Sequence, residues 1–309
     1  MKYLAIVLFM FLTTIFSFSD EVLFQCKTQF NRGDVVTVLS KNNIDSYTLE
    51  LVNAQNQSLS SNIFFPVDTF LFKGYASLVG LDPTLKAGQY YLLVKNGEDK
   101  LTDKLTITVN RNIFKKERIA LNDTNSSLRT NTDPEIIREA EQIHSIYETS
   151  NFSIVSGLYS LQLPLENGII TSWYGDRRNF QYSDGTLSPS IHTGTDFAAA
   201  FGTKITAASK GRVVFAGKRI ITGNSVVVEY LPGVYGIFFH MNELFVSKGD
   251  RVRADTVIGS LGSSGLATGP HLHWELRVGS VAVNPWSLMS NGLIDKSLIM
   301  GIVRSHTSE

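Results

Sequence analysis

From about residue 22 to 110, hydrophobic and polar positions alternate in short runs: "DVVTVLS", "SYTLELVN", "YYLLVKNG" and "KLTITVN". Turn signals such as "DPT", "KAGQ" and "NGED" separate them. A period of two sends successive side chains to opposite faces, so these runs predict a small β-sandwich. Residues 111 to 132 turn polar and end in "LNDTNSSLRTNT", which predicts a linker or exposed arm. In "DPEIIREAEQIHSIYE" the period changes. Asp133 can cap, Pro134 suits the first helical position, and Ile136, Ile137, Ala140, Ile143 and Tyr147 recur at helical spacing. One helix packed on a neighbour is expected, with His144 a partly buried structural residue at the edge of its stripe.

Beyond about residue 160 the strand pattern returns more strongly: "GIITSWYG", "GRVVFAGK", "NSVVVEY", "YGIFFHM", "TVIGSLG" and "HLHWELRV". Glycines at short intervals favour an antiparallel sheet over crossover helices. The expected organisation is a mainly β chain. It has a β-sandwich accessory domain at 20–110, a linker with one helix at 111–160, an antiparallel β-sheet domain at 161–290 and a tail at 291–309.

The first 19 residues, "MKYLAIVLFMFLTTIFSFS", read as a secretory signal with cleavage after Ser19. The apolar run is short for a membrane anchor and carries Thr13 and Thr14. Export to the periplasm or cell envelope is therefore expected. A single cysteine, Cys26, excludes an internal disulfide. Gln25 before it is too large for a lipidation site, so Cys26 reads as a strand cysteine.

Composition narrows the partners. The 309 residues are 43% hydrophobic, and Lys plus Arg and Asp plus Glu both total 28. Zero net charge without a long basic run speaks against a nucleic-acid partner. A monomer is expected, and any regulatory partner in the envelope is left open.

The chemistry lies in the histidines. Of six, four fall in "HTGTDFAA" (His192), "FFHMNEL" (His240) and "HLHWEL" (His271 and His273). His271 and His273 sit two apart in a strand and share a face. His192 and Asp196 are four apart, but Gly194 and two threonines between them argue for a strand end and a turn rather than a helix. A catalytic zinc takes three protein ligands and keeps a fourth position for water. His192, Asp196 and one of the paired histidines would supply that set, leaving the other two histidines for the substrate. The glycine series "GSLGSSGLATG" lacks a phosphate-loop lysine and reads as a tight loop delivering "HLH".

The segment from about 162 to 286 closely resembles the M23 metallopeptidases, the LytM or lysostaphin-like endopeptidases of bacterial cell walls. The likeness rests on "TSWYGDRRNF", "HTGTDFAAAFGTKITAASKGRVVFAG", "HMNELFVSKGDRVRADTVIGSLGSSGLATGPHLHWEL" and "VNPW". It implies one zinc held by His192, Asp196 and His273, with His240 and His271 as unliganded catalytic histidines. It also implies cleavage of peptidoglycan peptides. Arg177 and Arg178 align with a motif near the groove, with bonding of backbone carbonyls and contact with substrate both open to them. The family commonly has histidine where Tyr230 stands and tyrosine where Phe238 stands, a difference expected to bear on groove contacts. "GYASLVGLDPTLKAGQYYLLV" looks like the β-sandwich that precedes this domain in exported members.

Two other readings compete. A non-catalytic or self-inhibited regulator would keep the fold without open chemistry. A glycan-cleaving enzyme would need two carboxyl groups flanking a sugar bond, and Asp176, Asp184, Glu229 and Glu275 form no recognisable pair.

Overall fold

The computed structural model of the chain describes residues 13–17, 23–149, 155–157 and 159–305. The stretch read as an export signal lies outside the described residues apart from 13–17. No helix among the described residues is long and apolar enough to cross a membrane.

The first part runs β1 (Thr13–Ser17), β2 (Leu23–Lys27), β3 (Gln29–Asn31), β4 (Val35–Ser40), β5 (Thr48–Val52) and β6 (Ser58–Ile63). It continues with β7 (Phe65–Asp68), β8 (Lys73–Gly80), β9 (Gly88–Lys95) and β10 (Leu101–Asn110). Two five-stranded sheets result, ordered β1-β2-β4-β8-β7 and β3-β10-β9-β5-β6. Phe24, Val36, Val38, Leu49, Leu51, Leu92, Val94 and Ile107 interdigitate between them. The alternation that predicts a sandwich produces one. Cys26 is buried in it, and burial pushes its thiol up to about 12.

β4 carries more apolar residues than a half-exposed strand needs, and the second face of its sheet is also covered. Leu39, Phe65, Val67, Phe72, Ala76 and Leu78 join one core with Val226, Val228, Phe238, Leu272, Trp274 and Leu276 from the far half of the chain. The sandwich is thus fused to the C-terminal half rather than strung before it.

Where the sequence predicts a linker with one helix, there are β11 (Lys116–Ala120), α1 (Asp123–Arg129) and α2 (Pro134–Glu148). Polar composition hides α1, which Asn122 caps by accepting from the Asn125 backbone N–H at 2.8 Å. The Asp133 carboxylate accepts from Glu135 N–H at 2.9 Å, and Pro134 opens α2 as its type predicts. Only Ile143 and Tyr147 of the expected stripe are buried, while Ile137 is 59% exposed. His144 is a correction: its side chain is exposed beside Glu148, because it falls off the short stripe that α2 uses.

The remainder runs β12 (Ile169–Ser172), β13 (Arg177–Gln181), β14 (Leu187–Ile191), β15 (Thr195–Ala198), β16 (Lys204–Thr206) and β17 (Gly211–Arg219). Then come β18 (Gly223–Leu231), β19 (Val234–Leu244), β20 (Arg251–Val252), β21 (Val257–Leu261), β22 (Leu272–Val278) and β23 (Val281–Val283). The helices α3 (Trp286–Met289) and α4 (Lys296–Ser305) close the chain. The main sheet is ordered β12-β15-β22-β19-β18-β17-β20. β11 adds in parallel to β13, which pairs with β14. In the expected tail, Leu298, Ile299 and Ile302 of α4 enter the shared core.

Strand alternation gives the main sheet two distinct faces. Leu272, Trp274 and Leu276 of β22 point into the shared core, as do Phe238 of β19 and Val226 and Val228 of β18. His273, Glu275 and Arg277 therefore project from the opposite face, beside Ile237 and Phe239.

Candidate metal centre

Three elements bring the first group together. β14 ends at Ile191, and the chain turns through His192 and Gly194 into β15. Asp196 on β15 lies directly across from His273 on β22. Opposed residues in antiparallel strands have side chains on one face a few ångströms apart, so carboxylate and ring meet. Gly194 is required where it stands. A Cβ there would lie 2.5 Å from the Trp274 carbonyl oxygen and 2.7 Å from His273 Nε2.

The ligand-type atoms form a small triangle. His192 Nε2 lies 3.0 Å from Asp196 Oδ1 and 3.0 Å from His273 Nδ1, and His273 Nδ1 lies 2.9 Å from Asp196 Oδ1. Each ring is fixed from behind. His192 Nδ1–H donates to the Trp173 carbonyl at 2.8 Å. His273 Nε2–H donates to Glu275 Oε2 at 3.3 Å, and Thr193 Oγ donates to the same oxygen at 2.9 Å. The Phe239 ring stacks on His273, 5.5 Å away and 8° from parallel.

Asp196 uses its second oxygen differently. Oδ2 accepts from Arg178 at 2.6 Å, and the Arg178 Nε–H donates to Glu117 on β11 at 2.9 Å. Of the two roles open to the arginine pair, Arg177 takes the carbonyl-bonding one, donating to Pro83 O at 2.6 Å. Arg178 takes neither, because two carboxylates hold it.

His240 and His271 form a second pair, with ring centroids 4.8 Å apart. His240 has φ +62°, a left-handed backbone that turns its ring out of the regular strand, and its N–H donates to Thr222 O at 3.0 Å. Its Nδ1–H donates to Ser264 O at 2.8 Å, and the Nδ1–H of His271 donates to Gly269 O at 2.8 Å. Both rings then carry a bare Nε2. The loop holding these carbonyls needs Gly265, at φ +72°, whose Cβ position is 2.4 Å from Gly223 N. Gly269 has open space around its Cβ position, so it is not constrained in the same way.

The electrostatics separate the rings. Burial pushes the His240 imidazole down to about 3, with the nearby His271 adding to the effect. Burial also opposes a charge on His273, but hydrogen bonds to Asp196 and Glu275 outweigh it and raise the ring to about 9. His192 is lowered by burial against the pull of Asp196. Burial raises Asp196, yet its bonds to both rings hold it well below the usual carboxylate range. Burial likewise opposes ionisation of Glu275, but Arg277 and His273 bring it down to about 2.

All five side chains singled out in the sequence meet on one face. His192, Asp196 and His273 make a group whose ligand atoms lie within 4.8 Å of one another. Residues 190–285 match the family model for Peptidase family M23. This segment is an M23 peptidase domain. The M23 domain is 40% identical over 98 residues to the DD-carboxypeptidase/endopeptidase Mpg of Neisseria meningitidis, covering 32% of this chain and 23% of that protein. Against the peptidoglycan DD-endopeptidase ShyC of Vibrio cholerae the identity is 34% over 125 residues, covering 40% and 28%. The chain thus spans under a third of the length of these relatives. A crystal structure of a peptidase M23 from Pseudomonas aeruginosa superposes with a TM-score of 0.57 at 21% identity, covering 84% of this chain and 93% of that one, a likeness of fold.

The two departures from the M23 pattern fall away from the site. Tyr230 is buried in the shared core, where its hydroxyl donates to Ala207 O at 2.6 Å, and Phe238 is fully buried across from Trp274. The expectation that they bear on groove contacts is corrected: both point through the opposite face of the sheet. Sequence reasoning missed Glu117, which no local motif marks, and the holding role of Glu275, which stands two residues from His273 on the same strand face.

Proposed function

We propose that the protein is a zinc-dependent endopeptidase that hydrolyses peptide bonds in the stem or bridge peptides of peptidoglycan. The observation that carries this reading is the triangle of His192, Asp196 and His273. Each ring donates its far N–H to an oxygen, so a neutral His192 presents a bare Nε2 and a neutral His273 a bare Nδ1. Two lone pairs and a carboxylate oxygen then converge at 2.9–3.0 Å with no proton between them. Such a set repels itself unless an extra proton, carried on His273, or a metal cation fills it. Ligand atoms about 2.0–2.1 Å from a tetrahedral zinc lie roughly 3.3 Å apart, close to this spacing. Nitrogen, nitrogen and oxygen donors suit zinc, and Glu275 and the Trp173 carbonyl orient the rings as backing groups do in zinc sites.

His192, Asp196 and His273 would hold one zinc per chain. When bound, zinc supplies an acidified water and polarises the scissile carbonyl. The remaining work belongs to side chains. His271, half-buried with Nε2 bare, accepts the proton of the attacking water and passes it to the leaving amine. His240, kept neutral by burial, holds the other side of the water through its own Nε2. Arg178 and Glu117 fix the Asp196 carboxylate so that one oxygen faces the rings. No side chain attacks the carbonyl, so no acyl-enzyme forms.

The relatives named as peptidoglycan DD-endopeptidase and DD-carboxypeptidase/endopeptidase favour the wall peptide as substrate. The apolar start of the chain favours export to the envelope. Other carboxyl groups serve structure, since Asp176 accepts from Trp173 N–H and Asp184 from Thr186, which weighs against a glycan-cleaving pair. In the test, purified protein is incubated with sacculi and the products analysed by mass. New free amines on the peptides support the proposal, and new reducing sugar ends would contradict it.

A further inference from the structure

A cavity of about 770 Å³ lies where β2, β3 and the start of β4 meet α3 and the turn into α4. Its walls are tied together from both halves of the chain. Asn284 N–H donates to Gly33 O at 2.8 Å, and Lys27 pairs with Asp295 at 2.5 Å. Proteins enclose small ligands in spaces of about 300–1,000 Å³, so this one has room for a disaccharide.

The lining sets an aromatic ring among polar groups. Trp286 faces the cavity, with Asp34, Gln29, Asn110, Ser290 and Asn291 around it. Gln29, Asn110 and Ser290 are exposed, and among the described residues the side chains of these three and of Asn291 make no hydrogen bond. A pyranose ring has a C–H face that stacks on an indole and a rim of hydroxyls that both donate and accept. An acetamido group adds a donor and an acceptor that amide side chains match. Charge narrows the choice further. Asp34 and Asp295 outnumber Lys27 in the lining, which disfavours an acidic peptide and suits a neutral sugar.

Trp286 also connects the cavity to the metal group. Its ring lies 5.4 Å from that of Trp173, and the Trp173 carbonyl is the oxygen that accepts from His192 Nδ1–H. Trp173 is 48% exposed, so it offers a free stacking surface. Two tryptophans thus lead from the cavity to the backbone that holds a metal-facing ring.

We propose that the cavity beside Trp286 is a saccharide subsite for an N-acetylhexosamine disaccharide of the wall glycan, with Trp173 extending its stacking surface toward the metal group. Its use, to hold the glycan while the attached peptide enters the M23 site, rests on the peptidase reading. Sugar binding itself needs no cleavage.

Full-length, zinc-loaded wild type, Asn110→Ala and Trp286→Leu are titrated with an N-acetylglucosamine tetrasaccharide and with peptide-free glycan strands prepared from sacculi. Binding is followed by NMR through the indole N–H signals of the three tryptophans. Peptide release from sacculi is compared with cleavage of a soluble cross-linked peptide that carries no sugar. In wild type the signals of Trp286 and Trp173 should move while that of the buried Trp274 stays. Binding should weaken about fivefold in Asn110→Ala and by about tenfold or more in Trp286→Leu, and the ratio of sacculus cleavage to sugar-free cleavage should fall in both.

The subsite is overturned by unmoved tryptophan signals at millimolar probe, by binding that both variants leave at wild-type strength, or by a cleavage ratio that stays at the wild-type value. Sugar binding that the variants weaken, with wild type cutting neither sacculi nor the sugar-free peptide, keeps the subsite and sinks the peptidase reading. Should Trp286→Leu not fold, Asn110→Ala decides, since it trims only an exposed amide.

Discussion

His192 Nε2 and His273 Nδ1 lie 3.0 Å apart, and in the neutral rings neither nitrogen has a proton to offer the other. Without metal, the contact is relieved by an extra proton on His273, whose ring is raised to about 9 by Asp196 and Glu275 against the effect of burial. At pH 7 a zinc ion must displace that proton. Calorimetric titration in buffers of different ionisation enthalpy should therefore find about one proton released per zinc. Zero release at pH 7 would mean that His273 is already neutral.

The same ring sets a stability window for the metal-free protein. Its folded value lies above the usual 6.5, so its contribution is fully present below about 6.5 and is lost as pH rises through about 9. Asp196 works in the other direction: its lowered value gives stability present above about 4 and lost on acidification. Urea midpoints of metal-free protein should thus be higher at pH 6 than at pH 9.5, by a shift on the order of 2–3 kcal/mol. A midpoint that climbs steadily to pH 9.5 would contradict this.

Gly194→Ala places a methyl group against the Trp274 carbonyl and the His273 ring. Relief requires the ring or strand to move, at a cost of roughly 1–3 kcal/mol. Zinc affinity should fall by about ten- to a hundredfold, measured by competition with a chromophoric chelator. Wild-type affinity would show that the ring has room to yield.

Glu275→Gln keeps an acceptor for His273 Nε2–H and removes a charge that Arg277 and Thr193 help hold. Zinc affinity should drop by about tenfold, in line with losses of backing groups in metal sites. The substitution should also lower the pH at which His273 gives up its proton, readable by imidazole NMR in the metal-free state.

Much of this was legible in the sequence, for physical reasons. A metal group built at strand ends keeps its residue types and local spacing, so His192, Asp196 and the 271–273 pair stand out. The inward position of Trp274 follows from alternation with His273, and the residue is fully buried. Other features depend on which strands meet. Glu117 reaches Arg178 because β11 adds in parallel to β13, a pairing that no periodicity in "KERIA" announces. The stripe on α2 says that the helix packs, but not that it packs on the face bearing His273. The double burial of β4 and β8 fuses the sandwich to the M23 part, and either half read separately looks complete.

The central claim is tested most directly by mass analysis of sacculi digested with wild type, His271→Ala and His273→Ala, with zinc content measured in each. Wild type should release peptides bearing new amines. His271→Ala should keep one zinc and release none, and His273→Ala should lose both zinc and cleavage. Equal zinc loss in the two variants would contradict the division of labour between these histidines, and zinc-loaded wild type that leaves sacculi intact would contradict the peptidase itself.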